Sequence, residues 1–258
     1  TAGKRPVVAI YSTFLQRGYD QVFQEVALQN ESVVFCLDRA GLVGQDGPTH
    51  MGLYDIAYLR AFPGVTLCAP RDAADLGRML NLAVDSTGPW AIRWPRADAA
   101  AEAFIPSSLR DPIVAGKAEL LLDGDSGAVF AFGEVVNNAI IAAERLKEEH
   151  GISLAVYDAR FAKPLDEQTI IQAASKFDFI ATVEEHSVIG GFGSAVAELL
   201  ANNSRHQGKS QCRHSIHGVP DNFIAHMTTR DEQLQRCGLD PESLLQSWIM
   251  QFEPKPSR

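Results

Sequence analysis

The sequence predicts an α/β protein of two domains, each a largely parallel sheet with helices on both faces. Short Val- and Ile-rich runs alternate with longer stretches of helical spacing along most of the chain. Strands separated by helices at this interval pair in parallel, and a parallel sheet needs both faces covered. The alternation breaks once, at an alanine-rich polar stretch (Ala97–Ala103) and a loop-like one (Pro106–Pro112), and then resumes. A linker there divides the chain into domains of residues 1–105 and 113–258.

In the first domain, Pro6–Tyr11 (PVVAIY) reads as a buried strand. Leu15, Tyr19, Val22, Phe23, Val26 and Ala27 carry the spacing of a helix over Leu15–Asn30. Ser32–Asp38 (SVVFCLD) is a second strand, and a loop with four glycines between Gly41 and Gly52 follows it. Then come helix Leu53–Phe62, strand Val65–Pro70, helix Ala73–Asp85 and strand Pro89–Pro95. The second domain reads as strand Ala128–Gly133, helix Val135–His150, strand Ile152–Asp158, helix Asp166–Lys176, strand Phe179–Glu185 and helix Gly193–Ala201. A strand near Cys212–Ile216 and two helices close it. Pro164, Asp166 and Glu167 suit a helix start, with acid at the positive end of the dipole.

Of the 258 residues, 46% are hydrophobic and 21% charged, the balance of a soluble globular protein with a substantial core. A net charge of −9 argues against nucleic-acid and anionic-membrane partners. No apolar run approaches the ~20 residues of a membrane span. The four cysteines form no C-x-x-C pair, and Cys36 and Cys68 sit in apolar runs, so free thiols in a reducing cytoplasm are expected and a metal site is not. The chain opens at Thr1 directly before a strand, without initiator methionine or signal peptide, and reads as cut from a longer one.

Ligands of open parallel sheets bind at the carboxyl ends of strands. Tyr11-Ser12-Thr13-Phe14-Leu15-Gln16-Arg17 lies at such an end and at a helix start. Its aromatics suit stacking on a flat heterocycle, and Arg17 suits a phosphate or carboxylate; core packing and a solvated arginine are the plainer alternative. Asp38 to His50 (DRAGLVGQDGPTH) combines a charged start, closely spaced glycines, and Asp46 and His50 four residues apart. Glycines let backbone approach a ligand, and a histidine near a carboxylate suits proton transfer, although Asp-Gly is also an ordinary turn. In Arg93-Trp94-Pro95-Arg96 two arginines at a strand's carboxyl end suit a phosphate clamp, with an interdomain salt bridge as the plainer alternative. Because side chains alternate, Arg93 and Trp94 diverge and only one faces the site. The His186–Gly193 turn (HSVIGGFG) lacks the spacing of a nucleotide-binding loop and reads as packing.

In order and spacing, IYSTFLQRGYDQ, DRAGLVGQDGPTHMGLYD and RWPR, then ARFAKPLDE, TVEEHSVIGGFGSAV and HGVPDNFI, resemble the 1-deoxy-D-xylulose-5-phosphate synthases, a transketolase-like family of thiamine-diphosphate enzymes. The resemblance covers nearly the whole chain. It implies the second and third of three α/β domains: the pyrimidine-binding domain and the C-terminal domain that completes a homodimer. The absent first domain would bind the diphosphate and Mg2+. By resemblance, Tyr11 and Phe14 lie against the aminopyrimidine of thiamine diphosphate, and Arg17 and Arg93 hold the phosphate of glyceraldehyde 3-phosphate. Asp46 and His50 serve catalysis at the reacting carbon fragment or acceptor. The implied reaction joins pyruvate to glyceraldehyde 3-phosphate with loss of CO2, the first step of methylerythritol phosphate isoprenoid synthesis, in a bacterial cytoplasm or plastid equivalent. The family's Gly-Asp-Gly…Asn magnesium motif and the glutamate that activates the aminopyrimidine are not in this sequence, so the chain alone is expected to be inactive. Met51 and Ala97 stand where glutamine and glycine are common. A C-terminal subunit of a split transketolase-like enzyme and a non-catalytic binding module remain alternatives.

Overall fold

The computed structural model describes residues 3–98, 110–207 and 212–253. Most of the expected linker, and the tail after Glu253, lie outside them. The first half builds β1 (Val7–Tyr11), α1 (Ser12–Leu15), a 3-10 turn (Gln16–Gly18), α2 (Tyr19–Gln21), a π-helical turn (Val22–Ala27), β2 (Val34–Asp38), α3 (Asp55–Leu59), β3 (Thr66–Cys68), α4 (Ala73–Asp85) and β4 (Trp90–Arg93). The second builds β5 (Glu119–Leu122), β6 (Gly127–Phe132), α5 (Val136–His150), β7 (Leu154–Asp158), β8 (Phe161–Lys163), α6 (Glu167–Lys176), β9 (Phe179–Ser187), α7 (Phe192–Gln207), β10 (Arg213–Val219), α8 (Arg230–Arg236) and α9 (Pro241–Phe252).

These strands form two five-stranded sheets, in the orders β1-β2-β4-β3-β8 and β10-β9-β6-β7-β5. Both are parallel except at one edge: β8 runs antiparallel to β3, and β5 antiparallel to β7. The two edge strands were not expected from the sequence. Each is short, and β8 lies in the second half of the chain yet completes the first sheet. The expected alternation supplies the parallel centre of each sheet, where strands are buried on both faces, such as Gly127–Phe132.

Helix starts follow their caps. Asp72 accepts a hydrogen bond from the Asp75 amide at the head of α4, and Asp166 does the same for Thr169 at α6. The single helix expected over Leu15–Asn30 is instead four short pieces from Ser12 to Ala27. Gly18, at φ −100° and ψ 13°, departs from helical geometry between them. Tyr19 and Phe23 both stack on Phe62, at 5.0 and 5.5 Å between ring centroids.

The halves share their cores. Leu37, Ile56 and Leu67 pack in one cluster with Phe130, Phe132 and Phe192 of the second half. Leu42, Val43, Met51 and Leu53, from the glycine-rich loop, pack in another with Val129, Val183, Ile224 and Leu234. Burying apolar surface from both halves in these clusters, at ~25 cal/mol per Å², favours their docking.

Candidate functional site

Adjacent parallel strands present their carboxyl ends on one edge of the sheet. Tyr11, last in β1, is registered with Asp38, last in β2, and Leu37 with Arg93, last in β4. The chain continues from these ends into Phe14, Arg39 and Arg96, so the fold gathers residues far apart in sequence.

Tyr11 and Phe14 stack with centroids 5.3 Å apart and planes 17° from parallel. Phe14 remains 45% exposed, so its ring is open to a ligand. The His50 ring meets Phe14 edge-on at 5.4 Å. The Thr49 hydroxyl lies 3.0 Å from His50 Nδ1, leaving Nε2 for a ligand. The Arg39 guanidinium carbon stands 3.9 Å from the Tyr11 ring centroid, a cation–π geometry. Asp46 Oδ2 lies 3.5 Å from Arg39 Nε and 3.6 Å from Arg96 Nε, so one carboxylate oxygen sits between two guanidinium groups. Arg39 Nε is buried without a hydrogen-bond partner, and Arg96 is half-exposed. The result is two aromatic rings, a histidine and two arginines bridged by a carboxylate.

Of the expected site residues, the structure brings together Tyr11, Phe14, Asp46 and His50 and turns Arg93 into the core. Arg17 is exposed in the 3-10 turn. Arg93 is only 3% exposed and fully engaged. It donates to Asp55 Oδ2 (2.9 Å), the Gly52 carbonyl (3.3 Å) and the Glu185 carbonyl of the other half (3.1 Å). The alternation that separates Arg93 from Trp94 turns Arg93 inward. Arg39 and Arg96 instead converge on Asp46; the sequence offers Arg96 with Arg93 as a clamp, and Arg39 is not singled out by itself. Both belong to the motifs singled out, but lie just past a strand end, where alternation no longer says which way a side chain points.

Beside Arg93 lies a buried polar layer. His186 is wholly buried, with Nδ1 2.7 Å from the Ser187 carbonyl and Nε2 3.9 Å from Asp55 Oδ1. Burial pushes its pKa down to about 4. Burial also raises Glu184 to about 7, although it accepts from the Phe192 and Gly193 amides at the head of α7. Those bonds close the glycine-rich turn from within, the packing role expected of it. His214 and His217 make side-chain contacts with Thr182 and Ser215, and no group of three metal-ligating side chains occurs among the described residues.

Two five-stranded α/β domains thus share a seam, with an aromatic pair and two converging arginines near the strand ends of the first. Residues 1–101 match the transketolase pyrimidine-binding domain and residues 116–244 the transketolase C-terminal domain. The chain belongs to the transketolase family. Within it, 1-deoxy-D-xylulose-5-phosphate synthases from Acaryochloris marina and Rippkaea orientalis are 45% and 44% identical to it over 99% and 97% of its length. The chain spans only 39% and 38% of those relatives. A split-gene transketolase described as an inactive β4 tetramer superposes with a TM-score of 0.81 at 28% identity, over 96% of this chain and 76% of that one. A transketolase from Pichia stipitis, 19% identical, shares the fold with a TM-score of 0.69 over 95% of this chain and 33% of that one.

Proposed function

We propose that the chain is the pyrimidine-binding and C-terminal part of a 1-deoxy-D-xylulose-5-phosphate synthase, acting on pyruvate and glyceraldehyde 3-phosphate. The observation that carries this is the convergence of Arg39, Arg96, Asp46 and His50 beside the open Tyr11–Phe14 pair. The described residues fit half of thiamine diphosphate. The exposed Phe14 ring suits a flat aminopyrimidine, while no cluster among the described residues suits a diphosphate-bound Mg2+. In this reading the metal and diphosphate are held by another domain or chain, as the resemblance to the synthases implies. When bound, the cofactor supplies the electron sink for loss of CO2 from pyruvate.

This chain's residues then position the acceptor. Tyr11 and Phe14 hold the pyrimidine in place. Arg39 and Arg96, rather than Arg17 and Arg93, take the phosphate of the aldehyde, which would displace Asp46 from between them as the anion. His50, with Nδ1 held by Thr49, offers Nε2 to the acceptor oxygen and exchanges a proton there. Asp46 keeps the two arginines apart and correctly aimed until the phosphate arrives.

The working assembly in this reading is a homodimer in the cytoplasm. Ile189 and Phe223, 60% and 87% exposed, are apolar side chains suited to packing against a second copy through the C-terminal domain. Light scattering that returned a monomer for the complete protein would count against that assembly. The similarity to a split-gene transketolase supports a second reading, in which another chain supplies the diphosphate domain. Product formation from pyruvate and glyceraldehyde 3-phosphate, measured for this chain with and without a diphosphate-binding domain, tests both. Activity only with that domain is expected, and activity of the chain alone would overturn the division of labour.

A further inference from the structure

The glycine-rich loop that carries Asp46 and His50 belongs to the first domain by sequence and to the second by packing. Its neck is closed by two reciprocal backbone hydrogen bonds, Gly41 N–H to the Gly52 carbonyl (2.9 Å) and Gly52 N–H to the Gly41 carbonyl (3.0 Å). Beyond the neck, Leu42, Val43 and Met51 are almost fully buried in the core cluster of the second domain. The loop's apolar side chains thus face the second domain, while Asp46 and His50 face the candidate site.

Polar contacts of the second domain set the backbone between those anchors. Glu185, 4% exposed, accepts from the Leu42 amide at 2.7 Å and from Arg230, which also binds Glu134. Gln233, wholly buried, accepts from the Gly44 amide at 2.7 Å. It returns its own amide to the carbonyls of Gly44 (3.2 Å) and Ala225 (2.9 Å). The Met227 amide adds a second donor to the Gly44 carbonyl at 3.2 Å.

The loop glycines answer to these same groups. Gly41, at φ +118°, would place a Cβ 2.6 Å from the Glu185 carboxyl, and Gly44, at φ +64°, would place one 3.1 Å from the Arg230 amide. The close backbone approach expected of these glycines is therefore to the second domain rather than to a ligand.

We propose that Glu185 and Gln233 are positioning residues, through which the C-terminal domain fixes the Gly41–Gly52 loop and with it Asp46 and His50. The proposal rests on the functional reading above for its consequence in catalysis, but its structural content can be tested apart from turnover. Because His50 stands edge-on to Phe14, its ring protons carry a ring-current displacement that reports where the loop lies.

Gln233→Leu removes three hydrogen bonds, and Gln233→Glu retains the acceptor for Gly44 while losing both donated bonds. Leu146→Ala, in the same core cluster but away from the loop, serves as a control for general loss of stability. NMR of the chain is expected to show the His50 ring signal displaced in both Gln233→Leu and Gln233→Glu, and unmoved in Leu146→Ala. If Gln233→Leu does not fold, Gln233→Glu against Leu146→Ala makes the same comparison. In the complete protein, Gln233→Leu is expected to lower kcat/KM for the aldehyde by on the order of 10²-fold, with no comparable loss in Leu146→Ala. A His50 signal unmoved in the folded Gln233 variants, or moved equally by Leu146→Ala, would overturn the proposal. Displaced signals in a protein without the proposed turnover would leave the positioning role standing and sink only the catalytic reading.

Discussion

Arg93 and Arg96 are three residues apart, yet their surroundings predict opposite consequences of replacing them. Arg93→Met strands Asp55, which is wholly buried, and should cost about 3–5 kcal/mol in urea unfolding. Arg96→Met removes a half-exposed guanidinium and should change stability by less than ~1 kcal/mol. It should nevertheless raise KM for the phosphorylated aldehyde about tenfold, as should Arg39→Met. Comparable stability losses at Arg93 and Arg96 would contradict this division. That Tyr11, Phe14, Asp46 and His50 lie near one another could be anticipated, because each sits in a distinctive motif close after a strand. The arrangement of the arginines could not, because Arg39 and Arg96 lie in turns, and Arg93 points into the core from the strand itself.

Among the elements, β10 carries a pH dependence. Burial pushes His214 and His217 down to about 4 from an ordinary 6.5. The fold favours their neutral forms, so this contribution to stability is complete above pH 6.5 and is lost as pH falls toward and through 4. Glu184, raised to about 7, works in the opposite sense: its contribution is greatest below its ordinary 4.5 and is lost as pH rises through 7. A His214→Gln/His217→Gln variant should therefore lose less stability than the parent between pH 6.5 and 4, as followed by Tm. An unchanged acid slope would remove β10 as its source. At α6, Asp166→Ala loses the cap to Thr169 and the bond to the Ala118 amide, and should cost about 1–2 kcal/mol in the same assay. Parallel strands and capped helices could be read from apolar runs and cap residues. The broken helix from Ser12 to Ala27 could not, since its apolar spacing is that of a regular helix and its irregularity lies in the backbone. Nor could β5 and β8, whose pairing depends on contacts distant in sequence.

Across the whole molecule, the two domains are joined by a buried ionic seam as well as by shared apolar cores. Arg71 pairs with Glu119 at 2.5 Å and lies 3.4 Å from Asp158, while Arg160 reaches the same Glu119 oxygen. Burial raises Asp158 to about 7, against the pull of Arg71 and Arg160. Removing one partner from such a network leaves uncompensated buried charge, so Arg71→Met should destabilise by about 3–5 kcal/mol, largely independent of added salt. Salt-sensitive unfolding of the parent by several kcal/mol would argue that the seam is solvated. This seam was hidden from the sequence because Arg71 of the first domain meets Glu119 and Asp158 of the second only when the domains dock. The same docking seats the Asp46–His50 loop, which makes the candidate site a property of both domains. The most direct test is product formation by the complete protein from pyruvate, with glyceraldehyde 3-phosphate or unphosphorylated glyceraldehyde as acceptor, for the parent and for Arg39→Met/Arg96→Met. The parent should strongly prefer the phosphorylated aldehyde and the double variant should lose that preference, whereas no product, or a preference intact in the variant, would contradict the assignment of this cluster to the acceptor.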